Sequence, residues 1–140
     1  MIVTTVVEEL VSISGDADII AARQRARELA KEIGFGALDQ SRIATAVSEL
    51  ARNVLRYATG GVGQAVLRSV DPEDLGPGIE VVVQDAGPGI PDLNLAMQRG
   101  VTSGLGLGLG LPGTKRLMDE MNIETSTEGT TVTVRKWLHR

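Results

Sequence analysis

The chain has 140 residues, a size that folds as one domain and buries about two thirds of its unfolded surface without a disulfide or metal staple. Fourteen Lys and Arg against eighteen Asp and Glu leave a formal charge of −4, without the basic footprint of a nucleic-acid binder. With no Cys, and His139 as the single His, zinc sites, thiol nucleophiles and Ser-His-Asp triads are excluded or nearly so. Chemistry must therefore come from carboxylates, amides, hydroxyls, Lys, Arg and backbone.

The N-terminal stretch lacks a basic region, and Glu8 and Glu9 interrupt its apolar run. It reads as neither signal peptide nor membrane span, and with the absence of Cys this points to a cytoplasmic protein. Aromatic residues are scarce (Phe35, Tyr57, Trp137), so the stacking platforms of single-strand nucleic-acid binders are missing.

Residues 2–13, rich in Val, Thr and Ile, predict an opening strand, and Ser14-Gly15-Asp16 turns the chain. From Asp16 the apolar positions Ile19, Ala26, Leu29, Ala30 and Ile33 approximate a helical stripe, broken at Arg23 and ended by Gly34 and Gly36. Asp39 can cap a second helix with apolar positions Ile43, Val47, Leu50, Val54 and Tyr57, closed by Thr59-Gly60-Gly61. Strands are predicted at about Gln64–Val70 and Ile79–Asp85, joined as a hairpin across DPEDLGPG. A long Gly- and Pro-rich segment follows. Pro112 then suits the first turn of a third helix running to about Met121. Ile123–Ser126 and Thr130–Trp137 form a closing hairpin. The order predicts an α+β sandwich of about five strands, mixed but mostly antiparallel, with helices on one face and one domain over residues 1–140.

Three constellations carry possible chemistry. Glu49 and Asn53 lie four apart on the second helix, along one flank of its apolar stripe. A carboxylate and a carboxamide there suit a general base and an oxygen ligand for Mg²⁺. The plainer alternative is that Glu49 pairs with Arg52 or Arg56 on a solvated surface. Asp85, at a strand end and followed by Gly87 and Gly89, suits recognition of a flat heterocycle with an exocyclic amine, or makes an ordinary turn. Gly104, Gly106, Gly108 and Gly110 alternate with Leu before a helix, a pattern that brings backbone N–H groups onto an anion. It is not a phosphate loop, because Gly113-Thr114-Lys115 transposes the required order. Nor is it a dinucleotide fingerprint, because no strand precedes Gly108.

Taken together and in this order, the three motifs resemble the Bergerat ATP-binding fold of the GHKL superfamily: Glu49-x-x-x-Asn53, Asp85-x-Gly87-x-Gly89, the Gly104–Gly110 stretch, and a late Gly129-Thr130. Within it the segments AARQRARELAKEIGFGALDQSRIATAVSELARNVLRYA and GLGLPGTKRLMDEM look most similar to the small serine/threonine protein kinases of the RsbT and anti-sigma-factor type. The lid departs from that pattern at Gly104-Leu105, where a more polar Ser-Gly pairing is expected.

The resemblance implies ATP/ADP and Mg²⁺ as cofactors. It implies that Asp85 accepts from the adenine amino group, with Thr130 and the Gly89 backbone helping through water. It further implies that Asn53 holds Mg²⁺, that Gly106, Gly108 and Gly110 supply lid N–H groups, and that Glu49 takes the proton from a substrate hydroxyl. Lys115, Arg116, Arg52 and Arg56 stand as candidates for neutralising phosphate charge. The implied substrate is a STAS-domain antagonist, RsbS- or RsbR-like, in a stressosome-type switch, and the implied second partner is a PP2C-type phosphatase activated after release. Neither nucleic acid nor membrane is an expected partner. Two rivals stand beside it: an anti-sigma factor of the same fold holding a sigma factor, and a regulator that binds ATP without transferring phosphate. The retained Glu49 favours a kinase over the second.

Overall fold

The computed structural model describes residues 7–57, 61–87, 89, 97 and 110–139. The elements run β1 (Glu8–Ile13), α1 (Asp16–Ile33), α2 (Ala37–Tyr57), β2 (Gly63–Val70), β3 (Gly78–Asp85), α3 (Leu111–Leu117), β4 (Glu120–Ser126) and β5 (Gly129–Trp137). The strands form one sheet in the order β1-β2-β3-β5-β4, and among the described residues every pairing is antiparallel. This is the expected five-stranded α+β sandwich, with an antiparallel sheet in place of the mixed, mostly antiparallel one that the element order predicts.

Alternation along the strands sends Ile13, Ala65, Leu67, Ile79, Val81, Val83, Val132 and Val134 to one face, where they are buried against α1 and α2. The helices answer with Ile19, Ala22, Ala26, Leu29 and Ala30 from α1, and with Ile43, Val47, Leu50 and Val54 from α2. Arg23, the break in the α1 stripe, is exposed, and Ala22 fills the core position beside it. On the opposite face an alternating row of charges crosses every strand in register. Arg68 lies 3.5 Å from Glu80 and 3.6 Å from Glu8, and Arg135 lies 2.8 Å from Glu80 and 3.4 Å from Glu120. Each of these pairs is a direct cross-strand neighbour.

Of the opening strand, residues 2–6 lie outside the described residues, and Glu8–Ile13 pair with β2 as expected. Three boundaries differ from the sequence expectation: the start of α2, the end of α3 and the start of β4. Asp39 does not cap α2. The helix has already begun at Ala37, with the Gln40 N–H donating to the Gly36 carbonyl at 2.9 Å, so Asp39 sits in the first turn and pairs with Arg42 at 2.9 Å. The third helix stops at Leu117 instead of Met121, and β4 starts at Glu120 instead of Ile123. Strand pairing takes the chain away from the helix there. The Asp119 N–H donates to the Arg135 carbonyl at 2.9 Å, and the Asp119 carboxylate accepts the Trp137 N–H at 2.8 Å. Lys136 Nζ donates to the Leu117 carbonyl at 3.0 Å and satisfies the end of α3.

Candidate nucleotide and phosphoryl-transfer site

α2 carries the first part of the site because its buried stripe fixes its rotation. With Leu50 and Val54 in the core, Glu49 and Asn53 are turned to the half-buried flank. Arg52 Nη1 donates to Glu49 Oε1 at 2.7 Å, so the surface pairing that the spacing allowed is present, with Arg52 and not Arg56 as the partner. The other carboxylate oxygen is turned toward the head of α3. A methyl group placed on Gly110 would lie 2.8 Å from Glu49 Oε2, and Gly110 has φ +68°, where a side chain is disfavoured anyway. Buried Leu111 and Thr114 hold α3 in place, and Thr114 Oγ1 donates back to the Gly110 carbonyl at 2.8 Å.

The second part lies at the end of β3. Asp85 Oδ1 accepts the backbone N–H groups of Gly87 at 2.8 Å and Thr130 at 3.3 Å, while among the described residues Oδ2 accepts none. The first bond is the local Asx turn that the sequence also allowed. The second crosses to β5 and fixes the carboxylate relative to the last strand. The Thr130 and Thr125 hydroxyls share a hydrogen bond at 2.9 Å, and Gly89, at φ +85°, packs against the Ser126 carbonyl. Thr125 is the residue that motif reading missed. The register Ser126↔Gly129 places it opposite Thr130, and an inward-facing Thr beside the Gly-Thr pair is the signal that could have found it.

Gly63 brings the two parts together. It pairs with Asp85 in the sheet, and a methyl group there would lie 2.8 Å from Val54 Cγ1 and 3.3 Å from Asp85 Cβ. The lack of a side chain lets Val54 of α2, next to Asn53, pack close over the strand beside Asp85. An open cavity of about 390 Å³ borders Asp85, Thr125, Ser126 and Gly129, and its wall extends to Glu124 and Thr131 on the side of the sheet turned from the helices.

Gly104, Gly106 and Gly108 lie outside the described residues. Lys115 is exposed on α3, and no described hydrogen bond or ion pair ties it to the site. No cluster of three acidic, His or Cys side chains occurs among the described residues. The donor set nevertheless fits Mg²⁺ in its usual nucleotide setting. This hard cation takes one or two protein oxygens and completes its shell with phosphate and water, and the half-buried Asn53 carboxamide offers such an oxygen.

The family model of histidine kinase-like ATPase domains matches residues 14–136. The chain is 48% identical to the serine/threonine-protein kinase RsbT of Bacillus subtilis (strain 168) over 133 residues, 94% of this chain and 97% of that protein. Among solved structures, the RsbU and RsbW domains of a Mycobacterium tuberculosis protein superpose with a TM-score of 0.64 at 24% identity, over 98% of this chain and 33% of that one, so this chain spans about a third of its length. The catalytic domain of the histidine kinase ThkA superposes with a TM-score of 0.53 at 19% identity, over 93% of this chain and 96% of that one.

Proposed function

We propose, from the premise that this chain belongs to the histidine kinase-like ATPase domain family and to its RsbT serine/threonine-protein kinase branch, that it phosphorylates a STAS-domain antagonist with Mg-ATP in a partner-switching pathway. On release it binds and activates a PP2C-type phosphatase. We place it in the cytoplasm, and among the described residues no helix is long and apolar enough to cross a membrane.

One observation carries the mechanism. Glu49 stands on the flank of α2 with Asn53 four residues on, and its second oxygen is turned to Gly110, where the Gly-rich stretch enters α3. In this reading Asp85 accepts from the adenine amino group with the oxygen its two backbone donors leave open, and buried Thr130 supports it from β5. Asn53 would hold Mg²⁺, which would neutralise phosphate charge when bound. The backbone N–H of Gly110, at the head of α3, would donate to the phosphates; Gly106 and Gly108, to which the resemblance gives the same role, lie outside the described residues. Glu49 takes the proton from the substrate Ser or Thr hydroxyl as its oxygen bonds to the γ-phosphorus. The bond from that phosphorus to the β-bridging oxygen breaks, and the electron pair leaves on ADP. Phosphoryl transfer asks the protein mainly for positioning and charge stabilisation, so a site without His or Cys suffices.

The test is incubation with γ-labelled ATP and an RsbS-like STAS-domain protein. Label on a Ser or Thr of the partner supports the reading. A partner left unlabelled while the chain holds a sigma factor replaces it with the anti-sigma alternative.

A further inference from the structure

Arg52 and Glu49 are three residues apart on α2, the spacing at which helix side chains meet, and both are about one third exposed. A partly exposed pair of this kind contributes little to the fold. Its geometric consequence is larger. Nη1 of Arg52 engages Oε1 at 2.7 Å, the short distance of a charge-assisted bond, and Oε2 is the oxygen that faces Gly110. Of the other cations near this flank, Arg56 is exposed and makes no described ion pair, and Lys115 and Arg116 lie on the exposed surface of α3. The Glu49 side chain, with its several rotatable bonds, is thereby held by one oxygen and presents the other.

We infer that Arg52 is a positioning residue for phosphoryl transfer: it fixes Glu49 Oε1 so that Oε2 is the oxygen that accepts the substrate hydroxyl proton. The inference rests on the reading of Glu49 as the base. It assigns Arg52 to the carboxylate and withdraws it from the set of phosphate ligands. The two roles separate kinetically. A phosphate ligand lost from the ground state weakens ATP binding, whereas a misdirected base lowers the rate of transfer with ATP binding intact. Near-attack geometry lost through a small displacement lowers rates by roughly ten- to a hundredfold.

The experiment measures single-turnover transfer to the STAS partner, and calorimetric ATP affinity, for Arg52→Gln, Arg52→Lys, Arg52→Ala, Glu49→Gln and the Glu49→Gln/Arg52→Gln pair. Arg52→Gln should transfer roughly ten- to a hundredfold more slowly, with ATP affinity within about twofold of the parent. Arg52→Lys should recover part of the rate. Millimolar guanidinium should restore Arg52→Ala and leave Glu49→Gln unchanged, a rescue that a merely structural role would not give. Adding Arg52→Gln to Glu49→Gln should cost nothing further. Parental transfer by Arg52→Gln beside a dead Glu49→Gln overturns the positioning role alone. Loss of ATP affinity in step with rate also overturns it and makes Arg52 a phosphate ligand. Parental transfer by Glu49→Gln overturns the base reading and this inference together.

Discussion

Asp85 Oδ1 accepts the backbone N–H of Thr130, 45 residues further along the chain, at 3.3 Å. That bond joins the end of β3 to the start of β5 and holds one carboxylate oxygen in the sheet. Among the described residues the other oxygen accepts no hydrogen bond, and in the proposed reading it is the one that meets adenine. Asp85→Asn keeps an acceptor for Gly87 and Thr130, so the fold should be retained, but it replaces a charged acceptor with an amide. A charge-assisted bond of roughly 1.5–3 kcal/mol is lost, and calorimetric affinity for ATP should fall at least about tenfold. Unchanged affinity would remove Asp85 from adenine recognition.

Thr130→Val keeps that backbone bond and deletes the hydroxyl shared with Thr125. The expected loss is about 1 kcal/mol of stability by denaturant titration and a few-fold of ATP affinity. A variant with parental ATP affinity would confine Thr130 to a structural role.

Gly110→Ala tests the approach of α3 to α2. The positive φ costs about 1–2 kcal/mol for a side chain, and the new methyl would press on Glu49 Oε2. Transfer should fall more than about tenfold, because general-base contributions are of order 10²–10⁴ and depend on that oxygen's place. A rate within twofold of the parent would show that Glu49 works elsewhere.

Glu80→Ala addresses the fold alone. Glu80 is 8% exposed and bridges Arg68 and Arg135 on the face turned from the helices. Removing it leaves two guanidinium groups without their shared partner, at a cost of about 2–4 kcal/mol, or a fall of roughly 6–15 °C in Tm. ATP affinity measured well below that temperature should not change. An unchanged Tm would mean that the charge row contributes nothing to stability.

The long elements were legible because their signal is local. The periodicities of α1 and α2 sit where the core stripes lie, and the Glu49-x-x-x-Asn53 flank follows from Leu50 and Val54 being buried. What escaped the sequence depends on partners distant along the chain. α3 ends at Leu117 because Asp119 is claimed by Arg135 and Trp137, a β-pairing invisible in the helical pattern of LPGTKRLMDEM. Asp39 looked like a cap because its neighbours do not reveal that Gly36 already accepts the first helical bond. The choice of Arg52 over Arg56 as the partner of Glu49 could not be made from spacing, which allows either. Thr125 required the hairpin register before its hydroxyl could be placed beside Thr130.

On the proposed reading Glu49 performs chemistry that ATP binding does not need. Following γ-labelled phosphate from Mg-ATP onto an RsbS-like STAS-domain protein, with the parental chain and with Glu49→Gln, separates the two. The substitution keeps volume on the α2 flank and removes the basic oxygen. Complex formation and ATP affinity should be close to parental, while transfer falls by about 10²- to 10⁴-fold. Transfer by Glu49→Gln at the parental rate would leave Glu49 as a surface carboxylate paired with Arg52 and remove it from the chemistry.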